Sequence, residues 1–203
     1  NKIDSRGFES NPGIVHRLDK ETSGVMVIAK NHKLHSNLSK QFENRKVSKT
    51  YYALVWGNID SHGEVEGNMV RGKKDRRTFV ITDGIGRYSY TSYEKINSYG
   101  PISFVKLKPT TGRTHQIRVH MKSIGHPLIS DSMYSGGKSR IKSFHVKYTP
   151  LLKKIIKTIP RVALHSTDIT ISHPKTNKNE FFSASIPRDM SKAIEILEEY
   201  EKI

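Results

Sequence analysis

The sequence contains no cysteine. Disulfides, thiolate zinc sites and cysteine nucleophiles are therefore excluded. No apolar run approaches the roughly 18 residues needed to span a bilayer, and the first ten residues are too polar for a signal peptide. Together these absences point to a reducing compartment, the cytoplasm, and to no membrane partner. Acidic residues are scarce. The 203 residues hold 19 Asp and Glu against 35 Lys and Arg, a formal net charge of +16, with a pI near 9.9. Such an excess fits a polyanionic partner, because basic side chains displace counterions from phosphates, although a solvated basic surface would have the same composition.

Familiar cofactor motifs are lacking too. Gly137-Lys138-Ser139 ends like a phosphate-binding loop, but Ser132 stands where that loop needs its first glycine. GIGRYSY (84–90) lacks the third glycine of a dinucleotide fingerprint. The ten histidines form no HExxH pair. His115 and His120, five apart, fall on different faces of a helix and make poor joint metal ligands.

What is present is a patterned chain with enough apolar material (34%) for one core. Residues 1–13 read as loop, and GVMVIAK (24–30) as a short buried strand. Leu34, Leu38 and Phe42 give one apolar stripe to a helix over 32–45. KTYYALVW (49–56), Thr78–Thr82, Arg87–Asn97 and Ile102–Lys108 have the β-branched and aromatic content of strands. Thr114 is expected to cap a helix whose stripe is Ile117, Met121 and Ile124, stopped by Gly125 and Pro127. Residues 127–160 are irregular, with a short helix in 151–159. Ala163–Ser172 and Glu180–Ile186 read as a hairpin across HPKTNKN, and a last helix over 189–202 buries Ile194 and Leu197. Strands in groups with helices between them predict an α+β fold with a mixed, largely antiparallel sheet flanked by helices.

Two polar clusters stand in loops beside buried elements. One is HRLDKETSG (16–24) and the other TTGRTHQIR (110–118). By spacing alone, Asp19 could simply close a turn, and TTGRTH could simply open a helix. The strings say more. HRLDKETSG resembles the signature of the RluA-type RNA pseudouridine synthases, which isomerise uridine in ribosomal and transfer RNA. KTYYALVWG (49–57) resembles that family's Lys-x-Tyr-x-Ala strand, and TGRTHQIRVHM (111–121) its third motif. HPLISDSMYSG (126–136) and ALHS with a following HP (163–174) are similar to its C-terminal landmarks, in the same order. Ser130 departs from the pattern, standing where the family usually has glycine, and 138–160 carries no landmark.

The resemblance implies a pseudouridine synthase fold over residues 1–203, without the upstream strands or the small N-terminal RNA-binding domain of many relatives. It implies an enzyme that acts on RNA as a monomer, without cofactor or metal, on uridines of large-subunit ribosomal RNA. Transfer RNA is the alternative substrate, and a non-catalytic RNA-binding or ribosome-assembly module the alternative class. By the same resemblance, Asp19 acts at C1′ or C2′ of the flipped nucleotide, as nucleophile or base. Tyr51 stacks on the uracil, with its hydroxyl available for proton transfer. Arg113 stands beside Asp19 and keeps it anionic, a pair worth roughly 4 kcal/mol at about 4 Å and a dielectric of about 20. Arg17 enters the vacated base stack, and Ile117 walls the ring. Lys20 and Arg118 are expected among the phosphate contacts.

Overall fold

Alternation in the two central strands decides how the molecule is layered. The computed structural model describes residues 13–202; the loop expected over 1–13 lies outside them except for Gly13. In β2 (Ser48–Trp56) and β6 (Ile102–Pro109), paired antiparallel from Tyr51↔Leu107 to Trp56↔Ile102, successive side chains face opposite layers. Leu54, Trp56, Ile102 and Phe104 pack under α3 (Thr149–Thr158) and α4 (Arg188–Glu201). Ala53, Val55, Val105 and Leu107 pack under α2 (Gln116–Ser123) with Ile117 and Met121.

The eight-stranded sheet also contains β1 (Ser23–Gly24), β3 (His62–Arg71), β4 (Phe79–Thr82), β5 (Arg87–Ser98), β7 (Leu164–Ser172) and β8 (Asn179–Ser183). The order is β1-β7-β2-β6-β5-β3-β4, with β8 also on β7. Pairings are antiparallel except for β1, which runs parallel to β7 through Ser23↔His165 and Gly24↔Ser166. A further helix, α1 (His32–Glu43), presses Leu38 onto Ala29, Val47, Ile169 and Ile171. The fold is α+β, as the grouping of strands predicts.

Four sequence expectations need correction. The strand foreseen over 24–30 shrinks to β1, followed only by an isolated Ile14↔Ile28 bridge. Gly24 adopts φ +123°, where a side chain would collide with the Ser166 backbone, and the chain leaves β7 one residue later. Strand β3 was not foreseen, because HGEVEGNMVR carries two glycines and little β propensity. It forms by pairing, from His62↔Glu94 to Met69↔Arg87 on β5. The cap of α2 is His115 in the left-handed region (φ 59°), not Thr114. On α4 the buried positions are Met190, Ala193, Ile196 and Leu197, with Ile194 half-buried.

The departure at Ser130 has a backbone reason. Its φ is +64°, which glycine adopts without strain, whereas the serine here also donates Oγ to the Ile159 carbonyl at 2.6 Å.

Candidate active site

The two polar clusters meet at one cleft of about 520 Å³. One wall is HRLDKETSG. The Thr22 amide donates to the Asp19 carbonyl (2.9 Å), closing a turn, and β1 then clamps the turn to β7. The Ser23 hydroxyl lies 2.9 Å from His165 Nδ1, and His165 Nε2 3.1 Å from the Ala184 carbonyl, so Nε2–H donates there while Nδ1 accepts from Ser23. The turn uses the Asp19 backbone and leaves its carboxylate for the cleft.

Across from it, the arginine facing Asp19 is Arg118. Its Nη1 lies 3.5 Å from Asp19 Oδ2, while Nε and Nη2 donate to Asp131 at 2.7 and 2.9 Å. Side-chain exposures of 8% for Arg118, 0% for Asp131 and 20% for Asp19 show a buried anchor and a reachable carboxylate. Burial works against the Arg118 charge, but the hydrogen bonds to Asp131, with the charges of Asp131 and Asp19, raise its pKa. The guanidinium also lies 4.9 Å from the Tyr134 ring centre, a cation–π contact. Tyr134 is fixed in turn, its hydroxyl accepting the Phe79 amide (3.0 Å) and meeting His115 Nδ1 at 2.8 Å.

Arg113 is not that partner. It precedes the left-handed His115, and its Nε donates to the Tyr88 carbonyl (3.0 Å). The helix begins at Gln116, and its phase turns Arg118 inward with Ile117 and Met121. Arg118, expected as a phosphate contact, is instead the buried cation of the site.

Tyr51 lines the same cleft from β2. Register slips beside it. Thr50 pairs with Asp168 but Tyr51 with Ser166, so Thr167 is an extra residue, a bulge of the kind that re-aims side chains. Burial raises the Tyr51 pKa; a hydrogen bond with Ser166 opposes this and the Asp19 charge adds to it. Tyr52 faces the other layer, edge-on to Phe104 at 5.3 Å. Arg17 is exposed at the cleft rim, and Ile117 is both core and cleft wall. Lys20 is exposed in the turn and is not among the cleft-lining residues. Among the described residues no His, Asp and Glu cluster suits a metal ion.

Sequence reasoning did not single out Asp131, although it lies in the quoted HPLISDSMYSG string. It also passed over Lys49, a half-buried cleft residue whose Nζ donates to the Thr111 carbonyl at 3.2 Å. The signal was its place two residues before Tyr51, hence on the same strand face.

Two histidines near the site are held neutral. The Val27 amide donates to His16 Nε2 (2.9 Å), and the ring stacks on Phe42 at 4.5 Å. Burial, with the Lys49 charge, lowers the His16 pKa to about 4. His120 is fully buried, and burial lowers its pKa to about 4 as well. Ser89 Oγ lies 2.8 Å from both the Gly67 carbonyl and His120 Nε2, and Nδ1 has no partner. Protonation would strip His16 of its acceptor role and give His120 a buried N–H without an acceptor. Folded-state values below the ordinary 6.5 mean stability that is full above pH 6.5 and falls as pH drops toward 4. The expected loss is roughly 3 kcal/mol from His120 and less from the partly exposed His16. Urea-unfolding midpoints between pH 7 and pH 4.5 measure it, and a flat profile would refute it.

A family model described as RNA pseudouridylate synthase matches residues 1–123. Ribosomal large subunit pseudouridine synthase D of Zymomonas mobilis is 36% identical over 197 residues, covering 97% of this chain and 59% of that protein. The protein of the same name in Pseudomonas aeruginosa is 37% identical over 177 residues, covering 87% and 54%. The chain thus spans a little over half the length of these curated relatives. The solved structure of human RNA pseudouridylate synthase domain containing 1 has a TM-score of 0.66 at 26% identity, covering 91% of this chain and 79% of that one. Human RNA pseudouridylate synthase domain containing 4 shares the fold, with a TM-score of 0.75 at 24% identity over 95% and 78% of the two chains. The chain belongs to the RNA pseudouridylate synthase family.

Proposed function

We propose that this protein converts uridine to pseudouridine in large-subunit ribosomal RNA. The observation that carries the reading is the reachable Asp19 carboxylate, set against an arginine that a fully buried Asp131 holds in place. The reaction breaks N1–C1′, turns the uracil over and joins C5 to C1′, while C5 loses the proton that N1 gains. It is redox-neutral, and its atoms balance without a co-substrate. One carboxylate near C1′ suffices, to attack C1′ or to take a proton from C2′. Ordinary glycoside hydrolysis instead divides the work between two carboxylates and admits water.

Arg118 balances the Asp19 charge within a partly dehydrated cleft, with its remaining donors committed to Asp131. Tyr51 offers its ring to the uracil and a hydroxyl, kept protonated by burial, for proton movement. A target base must leave its stack to reach them, at a cost of a few kcal/mol; in this reading Arg17, exposed at the rim, fills the gap. The relatives named ribosomal large subunit pseudouridine synthase D support ribosomal RNA as substrate. Mapping pseudouridines in ribosomal and transfer RNA from cells with and without the gene tests the reading. Loss of large-subunit positions is expected; an unchanged ribosomal map would overturn it.

A further inference from the structure

Tyr134 holds more than the guanidinium of Arg118. It is 1% exposed, and its hydroxyl accepts the Phe79 amide at 3.0 Å and meets His115 Nδ1 at 2.8 Å. A backbone amide can only donate, so the phenolic hydrogen is left for another acceptor. Among the described residues His115 Nδ1 is the only acceptor bonded to that hydroxyl. Burial raises the Tyr134 pKa to about 12, so the hydrogen is kept, and leaving it unused inside the protein would be costly. Nδ1 therefore accepts it. Burial holds the imidazole neutral as well, lowering the His115 pKa against the pull of the Asp19 charge. A neutral ring that accepts at Nδ1 carries its own proton on Nε2.

That Nε2–H is unspent. Among the described residues no hydrogen bond forms at His115 Nε2, and unlike Nδ1 of His120 it is not sealed away from solvent. The ring lines the cleft with Asp19, Tyr51 and Arg118, braced edge-on by Phe79 at 6.0 Å and by Tyr134 at 5.5 Å. Its backbone opens α2 at φ 59°, yet the side chain makes no capping bond, so it does not serve the helix. Neighbouring donors are committed. Arg118 directs Nε and Nη2 at Asp131 and Nη1 at Asp19, and Lys49 donates to the Thr111 carbonyl.

Breaking N1–C1′ sends the bonding electron pair onto the uracil. N1 and the two carbonyl oxygens share that charge until C5 attacks C1′, whether Asp19 attacks C1′ or takes the C2′ proton. We propose that His115 is a further catalytic residue, its Nε2–H donating to a carbonyl oxygen of the uracil as the glycosidic bond breaks. This role rests on the reaction proposed above. No proton changes hands at the contact: the hydrogen bond strengthens as the oxygen gains charge and relaxes once C5 has joined the sugar. A neutral imidazole suits the task because its donor is aimed before the reaction begins.

Two substitutions divide the ring. Asparagine reproduces the Nδ1 edge, can accept from Tyr134 and tolerates the left-handed backbone, but reaches nothing at the Nε2 position. Glutamine carries an amide donor out to that position. His115→Asn is expected to fold normally and bind RNA within a few-fold, while its single-turnover rate at saturating enzyme falls about 100-fold. His115→Gln should recover part of the rate. A wild-type rate for His115→Asn would reduce His115 to a helix start and overturn the role. RNA with 2-thiouridine or 4-thiouridine at the target identifies the oxygen, since sulfur is the poorer acceptor. The wild type should slow on one of them, and His115→Asn should lose little more on that one; losses that add fully at both positions overturn the contact. Nitrogen-15 shifts of the imidazole read the tautomer without turnover, and an Nδ1–H form would also overturn it. A wild-type chain that yields no pseudouridine sinks the reaction and this role together, whereas product with additive losses sinks the role of His115 alone.

Discussion

Asp19→Asn is expected to abolish pseudouridine formation while leaving RNA affinity within a few-fold. Asparagine is isosteric and can still accept from Arg118, so the Thr22–Asp19 backbone turn and the Arg118–Asp131 pair should persist. What it lacks is an anionic oxygen able to attack C1′ or take the C2′ proton. In protein–nucleic acid complexes most hydrogen bonds go to phosphate and sugar and not to the reacting atoms, so rate and binding should separate. Single-turnover rates on a transcript, with affinity measured in parallel, check this. Appreciable turnover by the asparagine variant, with deamidation excluded by mass spectrometry, would remove Asp19 from the chemistry.

Arg118 should give the second large effect, with a different signature. Arg118→Ala leaves Asp131 fully buried and without its cation, a loss of about 3–5 kcal/mol that can unfold the protein by itself. Arg118→Lys is the informative variant. It keeps one charge but cannot donate through two arms to Asp131 and a third toward Asp19. Its single-turnover rate at saturating enzyme should fall by about 100-fold or more, the scale of losing one preorganised charged donor, with affinity little changed. Arg113→Lys keeps its charge and, since Arg113 is bonded to the Tyr88 carbonyl and not to Asp19, should turn over nearly normally once saturated. Equal rate losses in the two lysine variants would contradict the separation of roles that the geometry draws.

Much of this molecule could be anticipated from its letters because the relevant physics is local. The alternation in KTYYALVW and ISFVKLKP is itself the instruction for a two-sided strand. The Leu34, Leu38, Phe42 stripe specifies α1 in the same way. HRLDKETSG and TTGRTHQIR likewise marked both walls of the cleft, since loops that hold reactive groups need turn formers and polar side chains in close sequence. Strand β3 was out of reach for the converse reason: with two glycines and alternating charge, its conformation comes from β4 and β5 and not from itself.

Which arginine serves Asp19 is the clearest division between the two. Sequence alone brought Arg113 and Arg118 into one motif and one cleft, but spacing along a chain carries no direction in space. Direction was decided by the left-handed turn at His115, which starts the helix one residue later than its cap signal suggests. That phase rotates Arg118 inward, where Asp131, brought from a loop 13 residues on, gives it a buried counter-charge. Arg113 is left outside the helix, tied to the carbonyl of Tyr88 on β5 and facing other arginines. The sequence by itself determined the fold class and the two walls, and it singled out Asp19 as the candidate carboxylate. Only the tertiary structure decided which arginine is buried against Asp131 and which is left outside the helix, because burial and counter-charge arise from segments far apart in the chain.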